Sequence, residues 1–158
     1  MKIEQLMTRD VKTSQPQESL NRAAQLMWEC DVGCIPVVDE SNRVVGMITD
    51  RDIAMATYLQ GLPPGAITLE SVTSKKVYTC KPEEDVSVAA QRMQRHRVRR
   101  LPVIDAKGRL VGLISLNDIA IEAERKKDAR KPEVALVDVA LTLAELCQHR
   151  AAEALAAQ

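Results

Sequence analysis

The sequence is poor in aromatic rings. Of 158 residues, one is tryptophan, two are tyrosine and none is phenylalanine. The core must therefore be aliphatic, and the stacking platforms that hold single-stranded nucleic acid are missing. An excess of charge of one sign is missing as well. Lys and Arg total 22 and Asp and Glu total 22. A neutral chain has little long-range attraction for nucleic acid or an anionic membrane. The N-terminus, "MKIEQLMTRD", holds no apolar run of signal-peptide length, and no later stretch is long enough to span a bilayer. The expectation is a soluble, cytoplasmic protein that binds neither nucleic acid nor membrane. The four cysteines, Cys30, Cys34, Cys80 and Cys147, form no C-x-x-C, and the two histidines, His96 and His149, lie far from the Cys30/Cys34 pair. No metal site is read from this pattern, and buried free thiols are expected instead. G-x-S-x-G, H-E-x-x-H and G-x-x-x-x-G-K-[ST] are all absent, so nothing supports an enzyme.

What the chain does contain is a duplication. Gly46 recurs as Gly112, Pro36 as Pro102 and Pro16 as Pro82, each 66 residues on. Val11–Ile53 aligns on Val77–Ile119 without a gap, with 18 identical pairs in 43 positions; chance would give about 6%. Two copies are too few for a solenoid. They suit a pseudo-two-fold pair in which each copy covers the other's apolar face.

Each copy reads as β-α-β-β-α. Val11–Thr13 is a short strand stopped by Pro16, and Val77–Thr79 is its counterpart. Ser19 and Asp85 stand where helix N-caps belong. Leu20, Ala23, Ala24 and Met27 follow at helical spacing, matched by Val86, Ala89, Ala90 and Met93. Cys34–Val38 is a buried strand, "DESNR" and "DAKGR" are turns, and Val44–Ile48 returns antiparallel. Thr49 opens a second helix that runs to about Tyr58, and "GLPPG" leads to the second copy. Beyond Ile119 the pattern ends in the charged stretch "EAERKKDARK". A C-terminal amphipathic helix follows, with Leu136, Ala140, Leu143 and Cys147 on one face and Asp138, Thr142, Glu145 and His149 on another. Its apolar face packs either on its own module or on a partner chain. The expected fold is α+β (α/β), with repeat 1 at 1–66, repeat 2 at 67–126 and a linker plus helix at 127–158.

Thr49-x-x-Asp52 and Ser115-x-x-Asp118 fit a capping box. Three features suggest more than capping. Gly46 and Gly112 sit just before each box, where strand glycines often mark close approach of a ligand or another backbone. A helix N-terminus offers free N–H groups and positive potential. A carboxylate there can take two vicinal hydroxyls, as on ribose. One residue can cap and bind at once.

"LMWECDVGCIPVVDESNRVVGMITDRDI" and "RMQRHRVRRLPVIDAKGRLVGLISLNDI" resemble the two halves of a CBS-domain pair, a module named for cystathionine β-synthase. The resemblance spans roughly Met7 to Ala123 and rests on h-P-V-h-D followed by G-x-h-[ST]-x-x-D, found twice. It implies a regulatory module that binds AMP, ADP, ATP or another adenosyl compound in the cleft between repeats. Asp52 and Asp118 would hold ribose hydroxyls, with Thr49 and Ser115 beside sugar and phosphate. Adenine would lie among Val11, Lys12, Thr13, Cys34 and Ile35, or among Val77, Tyr78, Thr79, Arg100, Leu101 and Pro102. Arg99-Arg100 resembles the basic pair that meets phosphates in the gamma subunit of AMP-activated protein kinase; arginine's planar fork suits a phosphate. Repeat 1 departs here, with Gly33 and Cys34, so the two sites are unequal and phosphate binding falls to Arg99, Arg100, Arg51 and Arg97. The resemblance further implies a homodimer. With no room for an attached enzyme or channel, the module is expected to act on a partner in trans. The competing reading is a ligand-free interaction scaffold.

Overall fold

A computed structural model of the chain describes residues 1–73, 76–125 and 137–146. Each repeat opens on an extended segment that does not become a strand. Ser14 makes one parallel bridge to Val37, and Cys80 makes one to Val103. The prolines account for this. Ser14 N–H donates to Pro36 O at 3.1 Å, and Ser14 O accepts from Val38 N–H at 2.9 Å. The next rung toward the N-terminus would need an N–H on Pro36, and the next toward the C-terminus one on Pro16; proline has none. Pro102 and Pro82 impose the same stop in the second copy. The strands expected at Val11–Thr13 and Val77–Thr79 thus do not form; each copy keeps one bridge residue just beyond them, Ser14 and Cys80.

Helix α1 (Leu20–Glu29) starts where the sequence places it, with Ser19 Oγ accepting from Arg22 N–H. It buries Leu20, Ala23, Leu26 and Met27. Strand β1 (Cys34–Val38) is buried along its length and pairs antiparallel with β2 (Val44–Thr49), from Cys34 opposite Thr49 to Val38 opposite Val44. In the turn between them, Asp39 Oδ1 accepts from the N–H groups of Ser41 and Arg43 at 2.9 and 2.8 Å. Helix α2 (Asp50–Gln60) ends at Gly61, whose φ of 63° is the left-handed cap that glycine adopts at least cost.

The second copy repeats the order as α3 (Val86–His96), β3 (Arg100–Ile104), β4 (Leu110–Ser115) and α4 (Leu116–Arg125). The result is a mixed α+β fold with two two-stranded antiparallel sheets. Helix α3 buries Val86, Ala89, Ala90 and Met93, the stripe expected from spacing. Its N-terminus departs from expectation. Asp85 makes no side-chain cap; Lys2 Nζ holds its carboxylate at 2.9 Å, and Val86 N–H donates to Met1 O at 3.0 Å. The N-terminal segment supplies what a capping side chain would.

The chain forms two compact units, each with its own core. The first-repeat unit comprises Asp10–Val77 and Ile104–Leu110, and the second-repeat unit comprises Met1–Arg9, Tyr78–Val103 and Val111–Gln158. Ile35, Val37, Ile48, Leu20 and Leu69 lie in the first core. Ile3, Met93, Leu101, Ile114 and Ile119 lie in the second, so the extreme N-terminus packs with the second repeat. Residues 137–146 are helical and also join that core, through buried Val139 and partly buried Leu146. The face expected to pack there is not the one that does. Ala140 and Leu143 are exposed, whereas Thr142 is buried. Thr142 can be buried because its hydroxyl donates to Asp138 O at 2.8 Å, inside the helix. Leu136, Cys147 and His149 lie outside the described residues. Among the described residues, no helix is long and apolar enough to cross a membrane.

Candidate functional site

The β1–β2 hairpin delivers Thr49 to the first turn of α2 with its backbone still extended. Thr49 N–H donates to Asp52 Oδ2 at 2.9 Å, Thr49 Oγ1–H donates to the same oxygen at 2.6 Å, and Asp52 N–H donates back to Thr49 Oγ1 at 3.2 Å. The second copy reproduces this arrangement within 0.1 Å. Ser115 N–H and Oγ–H donate to Asp118 Oδ2 at 2.8 and 2.7 Å, and Asp118 N–H donates to Ser115 Oγ at 3.2 Å. Both capping boxes are therefore formed. In each, Oδ2 takes both bonds, and Oδ1 has no hydrogen-bond partner among the described residues. Both aspartates are partly exposed. Each unit thus presents one acceptor oxygen, fixed in place and open to a ligand hydroxyl.

Register brings the residues before each h-P pair to the same place. Cys34 lies opposite Thr49, and Asp50 N–H donates to Gly33 O at 3.4 Å. In the other unit, Leu116 N–H donates to Arg99 O at 2.9 Å. Gly33-Cys34 and Arg99-Arg100 therefore each flank a capped helix start. The guanidinium groups of Arg51, Arg99 and Arg100 have no ion pair or hydrogen bond among the described residues. Arg97 differs, because it is held at 3.5 Å by Glu145 of the 137–146 helix.

The residues assigned to adenine divide between core and surface. Cys34, Ile35, Leu101 and Pro102 are buried; Val11, Thr13, Val77 and Thr79 are half-buried; Lys12 is exposed and paired to Asp10 at 3.1 Å. Tyr78 stacks on His96, with ring centroids 3.7 Å apart and planes 9° apart. The ring pair lines a hollow of about 630 Å³ with Gln91, Gln94, Arg95, Arg97 and Glu145. Sequence reasoning did not find this hollow, since the two rings lie eighteen positions apart and no periodicity links them. A clamp on Thr79 was also missed. Arg92 Nη1 donates to Thr79 O at 2.6 Å and the guanidinium forks onto Glu84 at 3.0 and 2.8 Å. That hydrogen-bonded fork holds Glu84 below the usual carboxylate range and raises Arg92. Cys80, beside them, is pushed up to about 12, first by burial and then by Glu84, with Arg92 opposing. Such a thiol stays protonated and unreactive.

The Gly112 signal has a structural answer. A Cβ there would lie 2.5 Å from Met7 Sδ and 3.0 Å from Thr8 O, where the N-terminal segment bridges to Leu113. In the second repeat, the close approach is thus made by backbone of the chain itself. Among the described residues, no group of three His, Cys, Asp or Glu could hold a metal ion.

A family model for the CBS domain matches residues 3–58 and 69–124. The chain belongs to the CBS-domain family. The two matches fall on the two copies and include both capped aspartates. The CBS domain-containing protein YhcV of Bacillus subtilis is 37% identical over 127 residues, which cover 80% of this chain and 89% of that protein. Among solved structures, the CBS domain pair of protein MJ0100, in complex with 5-methylthioadenosine and S-adenosyl-L-methionine, is 26% identical. It has a TM-score of 0.70 and covers 83% of this chain and 98% of the other. CBSX2 in complex with AMP is 25% identical with a TM-score of 0.69, covering 80% and 98%. Two of the solved structures similar to this chain thus hold adenosyl compounds.

Proposed function

We propose that this CBS pair is a regulatory module that binds an adenine nucleotide or related adenosyl ligand and passes its occupancy to a partner protein in trans. One observation carries the reading. In both repeats, a capping aspartate keeps one oxygen without a partner among the described residues, beside a helix N-terminus. A vicinal diol can bond there without disturbing the cap, and the arginine guanidinium groups nearby can take phosphate oxygens. The adenosyl compounds held by MJ0100 and CBSX2 support the same ligand class. Asp52 and Asp118 take the ribose role, Thr49 and Ser115 flank it, and Arg99, Arg100 and Arg51, whose guanidinium groups have no partner among the described residues, supply positive charge. Arg97 contributes only if Glu145 releases it. No catalytic role is assigned to any of these groups. Regulation follows if the ligand binds one conformer of the module more tightly than another.

Titration calorimetry with AMP, ADP, ATP, NAD and S-adenosylmethionine tests this reading. Binding to the folded state alone raises the melting temperature in a dose-dependent way. Asp52→Asn with Asp118→Asn keeps an acceptor for the cap but weakens the diol contact, so it should bind at least about tenfold more weakly while remaining folded. If no compound in the panel binds, the motifs only cap helices and the module is a scaffold.

A further inference from the structure

The hollow beside the Tyr78–His96 stack lies wholly in the second-repeat unit, and neither capped aspartate lines it, nor does Arg99 or Arg100. Its walls carry two guanidinium groups, an imidazole and two amides against a single carboxylate. The duplication provides an internal control. Counting back 66 positions, Glu29 stands for Arg95 and Asp31 for Arg97. The same two places are acidic in one copy and basic in the other, so the fold requires neither sign there. Basic groups in a last helical turn often serve the helix dipole. Here that need is weak. Helix α1 has no basic residue in its last turn and forms all the same. At the end of α3, Val98 N–H and Arg97 N–H already donate to Met93 O and Gln94 O, at 3.0 and 3.3 Å. Arg97 also stands where its backbone does not favour it. Its φ is 54°, in the left-handed region that aspartate and asparagine enter more readily than arginine, and Asp31 takes the same conformation at 52°. What arginine adds at this position is its side chain.

We infer that this hollow is an oxyanion site, separate from the proposed ribose sites, that takes the phosphate group of a small molecule on Arg95 and Arg97. The donors are at hand. The Arg95 guanidinium and the side-chain amides of Gln91 and Gln94 have no ion pair or hydrogen bond among the described residues. The chain's own Glu145 shows which kind of group the hollow accepts, because its carboxylate already faces Arg97. That contact is loose, at 3.5 Å, where a charge-assisted bond closes to about 2.7–2.9 Å. An incoming anion therefore competes with Glu145 and takes Arg97 from it. Phosphate suits the site better than a carboxylate does. Its charge of about −2 matches two arginines, and its oxygens offer acceptors for two forks and for the amides as well. The volume of about 630 Å³ leaves room for an organic group beside the phosphate. Because Glu145 belongs to the 137–146 helix, occupancy of the hollow is felt by that helix.

Inorganic phosphate and glycerol 2-phosphate are titrated into the full chain without nucleotide, from about 0.1 to about 30 mM. Chloride keeps the ionic strength constant. The arginine Nε–H and glutamine side-chain amide signals are followed by nuclear magnetic resonance. The expected result is a saturable shift of the Arg95, Arg97 and Gln94 signals. Tighter binding of glycerol 2-phosphate assigns the site to an organic phosphate, and tighter binding of inorganic phosphate assigns it to the free ion. Glu145→Gln should tighten binding about threefold or more, since it frees Arg97. Arg95→Gln with Arg97→Asn should weaken it at least about tenfold; asparagine suits the left-handed backbone at that position. If circular dichroism shows that this double variant is unfolded, Arg95→Gln alone takes its place. Shifts that do not saturate, shifts at Arg99 and Arg100 with none at Arg95, a double variant that binds like the parent, or no gain in Glu145→Gln would each overturn the inference. The measurement uses no nucleotide, so failure of nucleotide binding leaves it standing.

Discussion

An added Cβ on Gly112 would press on Met7 Sδ at 2.5 Å and on Thr8 O at 3.0 Å. The sulfur can swing away, but the carbonyl belongs to the bridge with Leu113 and cannot. Gly112→Ala should therefore lose about 1–3 kcal/mol, the usual range for overpacking; urea denaturation measures it, and an unchanged midpoint would mean the N-terminal segment is not held there. Ser14 presents the opposite case. It is 2% exposed and its Oγ has no partner among the described residues. A buried hydroxyl without a bond costs about 1–3 kcal/mol, and the equivalent residue is Cys80. Ser14→Ala should stabilise the fold by about 1 kcal/mol, read as a rise in melting temperature; a fall would show that the hydroxyl has a partner in solution. These residues differ in how far the sequence exposes them. The capping boxes are legible because donor and acceptor lie three positions apart. The environments of Ser14 and Gly112 are set by chain more than twenty and more than a hundred residues away, and no local pattern records that.

Prolines and ion pairs decide which elements form and what anchors them. Val11–Thr13 and Val77–Thr79 have strand composition, yet the prolines across the ladder remove the N–H groups a second rung needs. That outcome was readable only with the parallel register in hand. Asp85 has the residue type of a cap but is held by Lys2, a choice made by the docking of the N-terminus. The Arg92 clamp ties α3 to Thr79 and Glu84, and its worth depends on pH. Glu84 has a lowered pKa in the folded state, chiefly through its hydrogen bond to Arg92. Its stabilisation is present above the ordinary value of 4.5 and disappears as pH falls through the lowered one. Glu84→Gln should lose about 1 kcal/mol at neutral pH, after allowance for partial exposure. The gap between parent and variant should close in acid. Denaturation at a series of pH values checks this, and a gap that persists below the lowered pKa would mean the fork contributes by packing instead of charge.

Duplication was the most legible property of the whole molecule, because a 66-residue shift needs no structural knowledge to find. The grouping of Met1–Arg9 with the second repeat was not legible, and neither was the packed face of the 137–146 helix, where a self-satisfied threonine is buried in place of Leu143. The same duplication makes the differences between copies informative. Both repeats carry a capped aspartate whose Oδ1 has no hydrogen-bond partner among the described residues, so the proposed ribose contact is available to both. Only the second carries an arginine pair, Arg99-Arg100, before its h-P pair; the first has Gly33 and Cys34 there. Two hydrogen-bonding forks on a phosphate are charge-assisted and together contribute about 2–4 kcal/mol when partly desolvated. Adenosine should therefore bind the parent and an Arg99→Ala, Arg100→Ala variant alike. AMP should lose about tenfold or more in the variant at the second-repeat site, a difference of about 1.4 kcal/mol or greater. Added salt should narrow the gap, since it screens exposed charge. Calorimetry with both compounds separates the outcomes. Equal losses for adenosine and AMP would mean that the arginines support the fold of the site, and the inequality between the repeats would then have nothing to do with phosphate.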